Sequence, residues 1–312
     1  MTTAAPQKTT QFSSRVVPWM KLGQIVDGTV TAAEAAKLGG IDFKVAERPL
    51  YFRTNGKDST YRRIDERKVL VHEDTNQWLG IVSKDYPVVQ YGEAFDFMEA
   101  VGVRFVAAGG LRGGRQGFMV VETDVQFSAD FLPDDDQKLY GVLRTSHDCS
   151  RSIEVMVMPL RGRCMNQLTL RSFAKNVPHR WSVVHAGDVK SKLAAARASI
   201  GKLGDYAKSF ESNARRLIET KVTDDVAETI LKYVLPDRPK RPQVIESILA
   251  GWHGRTETNG YDGTGWGLVN AVSEYFEWDR ALGSPESRFL AALQGQTHNA
   301  INKTAGYILT RV

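Results

Sequence analysis

KLYGVLRTS at residues 138–146, HDCSR at 147–151 and SIEVMVMP at 152–159 decide how this chain folds. The outer segments are rich in β-branched, aromatic and other apolar residues, and a short polar stretch joins them. A strand, a tight turn and a second strand of this kind pair antiparallel. Working towards the N-terminus, further strand segments are expected at 117–124, 79–82, 61–72, 50–53 and 41–45, with turn signals at Asn55-Gly56 and at 74–76. Gly109, Gly110, Gly113 and Gly114 bracket Leu111 and Arg112 just ahead of the 117–124 strand. This stretch lacks the Lys-Ser/Thr end of a phosphate-binding loop and leads into a strand, so it reads as a hairpin turn.

Two helices punctuate that β-rich part. Thr31 and Glu34 form a capping box for a short helix that the Gly39-Gly40 pair ends. Residues 92–101 place Ala94, Phe95, Met98 and Val101 on one helical face. Asp134, Asp135 and Asp136 mark a loop tip, and residues 1–18 read as a flexible tail.

Towards the C-terminus, Asp188 is the N-cap of a long helix expected to run to Glu219. Val189, Leu193, Ala196, Ile200, Leu203, Ala207, Phe210, Ala214 and Leu217 follow a 4-3-4-3 spacing, a seam of coiled-coil type. It packs on the chain's own sheet or, alternatively, on a second subunit in a homo-oligomer. Helices are further expected at 224–234, 244–252, 266–282, 286–294 and 298–310, with a boundary loop at Pro239 and Pro242. The fold class is α+β: a small, mostly antiparallel β-sheet with a long basic helix, then a helical C-terminal portion. The organisation is a tail at 1–18, a β-rich part with the long helix at 19–221 and a helical region at 222–312.

Charge is unevenly spread. The 312 residues carry a net +5, but residues 150–221 hold 14 Lys/Arg against 5 Asp/Glu, a local +9, so the remainder balances at −4. Such asymmetry suggests a polyanionic partner, with a solvated basic surface as the bland alternative. In this part of the chain Arg144, just ahead of the segment, and Arg151, Arg161, Arg163, Arg171, Lys175, Arg180, Lys190, Lys192 and Arg197 within it spread over strand, turn and helix. Arginine forks hold phosphate oxygens bidentately. Phe173 and Trp181 are interleaved and offer faces on which bases stack, although core packing competes for both. Arg161 and Arg163 alternate onto one strand face, with Cys164 on the other.

Other chemistries find less support. No apolar run is long enough to span a membrane, and the first residues lack the apolar core of a secretory signal. Cys149 and Cys164 cannot by themselves make a disulfide framework or a four-ligand zinc site. A cytoplasmic protein without cofactor or metal is expected. Adjacent strand residues point to opposite faces, so His147, Asp148 and Cys149 do not by spacing form a thiol nucleophile and base. Between Ser150 and Asp188 the single acid is Glu154, too few carboxylates for a metal-dependent nuclease centre within the strip.

Ser146-His147-Asp148, the run from Arg161 to Gln167, His185 ahead of a helix, Trp78-Leu79-Gly80-Ile81-Val82 with Tyr86 and Gln90, and Thr264-Gly265-Trp266-Gly267-Leu268-Val269-Asn270-Ala271 with Glu274-Tyr275 resemble a phage/plasmid-like family. Its common domain is known as one of unknown function, and the likeness spans roughly residues 19 to 300. It departs at Cys149, where the family favours Gly, and at Ala186, where it favours Thr; a catalytic Cys149 is weakened accordingly. The resemblance implies a bacteriophage or mobile-element origin, hence the cytoplasm of an infected or plasmid-bearing bacterial host, and no particular activity. A looser likeness, of architecture alone, is to single-strand annealing proteins of the RecT, Red-beta and Erf kind.

Three expectations follow. The foremost is a nucleic-acid-binding protein that takes single-stranded DNA and anneals it in replication or recombination. The second is a nucleic-acid- or nucleotide-processing enzyme centred on His147 and Asp148, with His185 nearby. The third is a phage assembly or host-takeover protein whose basic strip meets an acidic protein.

Overall fold

The computed structural model describes residues 22, 24–25, 31–56, 59–96, 103–127, 132, 137–161, 168, 170, 180–189, 191–194, 203–254, 261–280 and 283–312. The protein is α+β, as its residue pattern predicts. In chain order the elements are β1 (Gln24–Ile25), α1 (Ala32–Leu38), β2 (Val45–Arg53), β3 (Tyr61–His72), β4 (Trp78–Ser83), α2 (Tyr91–Phe95), β5 (Arg104–Leu111) and β6 (Gln116–Glu122). Then follow β7 (Gln137–Ser146), β8 (Ile153–Arg161), β9 (Arg180–Val183), α3 (Leu203–Glu219), α4 (Asp224–Val234), α5 (Arg241–Gly254) and α6 (Gly265–Glu274). A π-helical turn (Tyr275–Asp279), α7 (Pro285–Gln294) and α8 (Gln296–Arg311) complete the order.

The β7–β8 hairpin lies inside a six-stranded sheet of order β1-β5-β6-β7-β8-β9, and β2, β3 and β4 form a second sheet. Every pairing is antiparallel. Alternation along β6, β7 and β8 gives the large sheet two apolar faces. Met119, Val121, Leu139, Leu143, Val155 and Val157 join the main core with α1, α2 and the C-terminal helices. Phe118, Val120, Tyr140, Val142, Met156 and Met158 form the other face, which α7 covers with Phe289 and Leu293. A sheet buried on both sides must satisfy its backbone within the ladder, so polar side chains concentrate at its ends.

The long-helix expectation is met over α3, where Leu203, Tyr206, Ala207, Phe210, Ala214 and Leu217 are buried at helical spacing. Residues 191–194 are also helical, with Asp188 capping the Ser191 amide at 3.1 Å; 190 and 195–202 lie outside the described residues. The seam is spent inside the chain: α3 packs on α6 and α8, and Val189, Leu193 and the α3 residues belong to the main core. The described positions of the seam therefore make their contacts within one chain.

Two further differences have local causes. Of the strand expected at 41–45 only Val45 is in a strand: it opens β2, which includes the 50–53 segment and runs through Pro49 with a register shift at Pro49/Leu50. β2 is an edge strand, where a residue without an N–H leaves no ladder bond unmade. Gly109 and Gly110 belong to β5, and the tight turn falls on residues 112–115 with Gly113 and Gly114 at positive φ. The main core includes residues of α1 and of α8, so it crosses position 221 without a break.

Candidate functional site at the β7–β8 turn

The turn at 147–150 is built by its own side chains. Asp148 Oδ1 accepts from the Ser150 amide at 2.9 Å, and Ser146 Oγ accepts from the Arg151 amide at 2.9 Å. Cys149 sits at φ 60° in the left-handed region. The turn is pinned from outside by β4, for a Cβ on Gly80 would stand 2.1 Å from the His147 carbonyl oxygen. Only glycine admits that approach. The His147 amide also donates to the Arg115 carbonyl at 2.8 Å.

On one side of the sheet end lies an aromatic and imidazole cluster. His147 is fully buried against the Tyr91 ring, with centroids 4.4 Å apart. His185 stacks on Tyr86 at 5.1 Å, and its Nε2 lies 3.0 Å from Thr145 Oγ1. Tyr86 donates to the Ser146 carbonyl at 3.2 Å and Tyr91 to the Gly114 carbonyl at 2.8 Å. Burial, helped by nearby His185, pushes His147 down to about 3. Burial likewise lowers His185 to about 4, against the opposing pull of the Pro87 carbonyl. Both imidazoles are neutral at physiological pH, and among the described residues neither His147 nitrogen has a hydrogen-bond partner. Burial and the Asp148 carboxylate raise the Cys149 thiol, the opposite of an activated nucleophile.

On the other side, one carboxylate binds two guanidinium groups, and Gln294 links a third to them. Arg144 and Glu154 are cross-strand neighbours on β7 and β8. Arg144 Nη2 donates to Glu154 Oε2 at 2.9 Å, and Arg180 Nη2 from β9 donates to Glu154 Oε1 at 2.5 Å. Gln294, at the end of α7, donates to Glu154 Oε2 at 3.0 Å and accepts from Arg144 and Arg151 at 2.7 Å each. Burial alone would raise Glu154, but Arg144 and Arg180 outweigh it and hold the carboxyl below its usual range. Burial lowers Arg144 despite Glu154. Among the described residues, three cations to one anion leave a surplus of two positive charges here, and Nε and Nη1 of Arg144 and Nε of Arg151 are buried without partners.

Of the residues expected to meet a polyanion, Arg151 and Arg180 come together here, with Arg180 the more exposed. Lys192 is exposed and caps the 184–187 turn through the Ala186 carbonyl at 2.7 Å. Arg144 is corrected from a surface contact to a fully buried partner of Glu154. Trp181 is half-buried and packs on the main core. Arg161 ends β8, and its side chain lies outside the described residues, as do Arg163, Arg171, Lys175, Lys190 and Arg197. Sequence reasoning missed the Glu154 hub, although the solitary acid in a basic strip was its signal. Nothing flagged Gln294, which arrives from 140 residues away. Among the described residues no group of three or more His, Cys, Asp or Glu converges as a metal site. Nor is any helix long and apolar enough to cross a membrane.

The turn and the helix motif carrying the likeness prove to be packing centres. Every residue of α6 is buried, Thr264 caps it through the Gly267 amide at 3.1 Å, and a Cβ on Gly267 would meet the Tyr261 carbonyl at 2.1 Å. No curated protein and no solved structure matches the chain. Residues 78–304, from the strand that pins the turn to the last helix of the core, match the family described as a domain of unknown function (DUF932), and the chain belongs to that family.

Proposed function

We propose that this protein binds nucleic acid without a cofactor, taking single-stranded DNA and annealing it in the replication or recombination of a phage or plasmid. The observation that carries this reading is the surplus of positive charge around Glu154, set in the +9 segment of residues 150–221. A cluster with more guanidinium than carboxylate is stabilised when phosphate oxygens approach, and the bidentate fork suits them. Arg151, Arg180 and Lys192 contribute from the described residues, and Arg161, Arg163, Arg171, Lys175, Lys190 and Arg197 from the rest of the strip. The mechanism is electrostatic: cations neutralise phosphates and release counterions, so affinity falls steeply with salt.

The test is fluorescence anisotropy with a labelled single strand and its duplex at several salt concentrations, followed by addition of the complementary strand. Tight single-strand binding with a steep salt slope and faster annealing is the expected result. Replacing Arg161, Arg163, Lys190 and Lys192 with Ala should lower the slope by about 0.7 for each phosphate contact removed. Absence of binding at low salt would sink the proposal.

A second reading is favoured by a separate observation, the buried His147 nitrogens beside Asp148 and His185. It is an enzyme acting on nucleic acid or nucleotides, and a turnover lost in His147→Ala would support it over the first.

A further inference from the structure

The outer half of the β2–β3 hairpin is unlike the rest of the protein. β4 pairs with β3 only from Arg67 to Val71, so beyond Pro49 the sheet narrows to two strands, 50–53 against 61–64. Of the large apolar and aromatic side chains that remain exposed, Tyr51, Phe52 and Tyr61 stand on this arm, with Tyr61 at 73% exposure. The register pairs Tyr51 with Arg63 and Arg53 with Tyr61. Side chains of directly paired residues share a face, so these four form one tile with the tyrosines on one diagonal and the arginines on the other. Neither tyrosine ring stacks on another ring among the described residues. Arg53 is held by Ser59 Oγ at 2.6 Å and Arg63 by Asp65 at 3.1 Å, both at the surface. On the reverse face Arg62 sits opposite Phe52.

We infer that this tile is a stacking platform for single-stranded nucleic acid, with Tyr51 and Tyr61 taking two bases and Arg53 and Arg63 the phosphates between and beside them. The inference rests on the nucleic-acid reading above and gives it a second contact surface, away from Glu154. Three features select this ligand. Diagonal cross-strand neighbours lie roughly 7–8 Å apart. Bases stacked in a duplex repeat at about 3.4 Å, so only an unstacked strand can lay successive bases on both rings. The tile carries two cations, and with Asp65 paired to Arg63 at its edge the local balance stays positive, which complements a phosphate backbone. A ribbon two strands wide offers a narrow track, whereas protein hot spots sit in broad, water-excluding surroundings. The arm precedes the 78–304 stretch shared with the family.

The full-length chain would be titrated into a labelled oligothymidylate by fluorescence anisotropy at several salt concentrations. Two stacked bases lost in Tyr51→Ala/Tyr61→Ala should weaken binding by at least about thirty-fold. The salt slope should stay unchanged, and Tyr51→Phe/Tyr61→Phe, which keeps both rings, should bind as tightly as the parent. Arg53→Gln/Arg63→Gln should instead lower the slope, by up to about 1.4 for two contacts. If the parent binds and the Ala pair binds equally well, the platform is refuted while the nucleic-acid reading stands. If the parent itself fails to bind at low salt, both fall. A changed mass by light scattering in the Ala pair, with unaltered affinity, would reassign the tile to a contact between copies and overturn the inference.

Discussion

His147 shows how one residue records its surroundings. Its ring is enclosed by Tyr91 and the β7–β8 turn, and burial holds it neutral down to about 3, as it holds His185 down to about 4. In the unfolded chain both titrate near 6.5, so below that pH the unfolded chain takes up protons that the folded one refuses. The stability that the neutral pair contributes is full above pH 6.5 and is lost as the pH falls towards 4. Each imidazole contributes a slope of about 1.4 kcal/mol per pH unit in that window. Urea unfolding at pH 7.5, 6 and 5 should therefore show a smaller acid loss in His147→Phe than in the parent. Coincident pH profiles for the two would contradict this burial. The sequence offered His147 as a polar turn residue with catalytic potential; its burial came from Gly80 and Tyr91, which are distant in the chain.

At the scale of elements, the α3 seam was legible because its period is a local property of the chain. What it faces was not, since a 4-3-4-3 stripe fits another subunit as well as it fits α6 and α8. The packing decides for the interior. Leu217→Ala should cost about 2–5 kcal/mol, as for a fully buried leucine, and leave the mass in solution unchanged. Light scattering together with chemical denaturation reads both quantities, and a lower mass with little lost stability would restore the oligomeric seam. The same limit explains the strands. β3 and β7 were read within a residue or two from composition, whereas β5 was missed because Gly109 and Gly110 lie inside it. β9, four residues long, was missed because a strand that short has no pattern of its own.

Over the whole molecule, the main core links α1, the large sheet and the helices through α8. A core shared in this way melts together, so calorimetry should give one transition whose calorimetric and van't Hoff enthalpies agree. Two resolved transitions would instead divide the chain near residue 221. The electrostatic picture also belongs to this scale. The excess of 14 cations over 5 anions in residues 150–221 was present in the sequence. Its arrangement was not: Arg144 turned inward to Glu154, Arg151 and Arg180 were drawn to the same hub, and Trp181 went to the core. By itself the sequence determined the α+β class, the helix caps, most strand positions and the charge asymmetry, because each depends on neighbours along the chain. The tertiary structure alone decided which cations share Glu154 with Gln294, which face of the seam is spent and where the Tyr51–Tyr61 tile stands clear. Those outcomes depend on cross-strand register and on burial, which bring together residues that no local spacing connects.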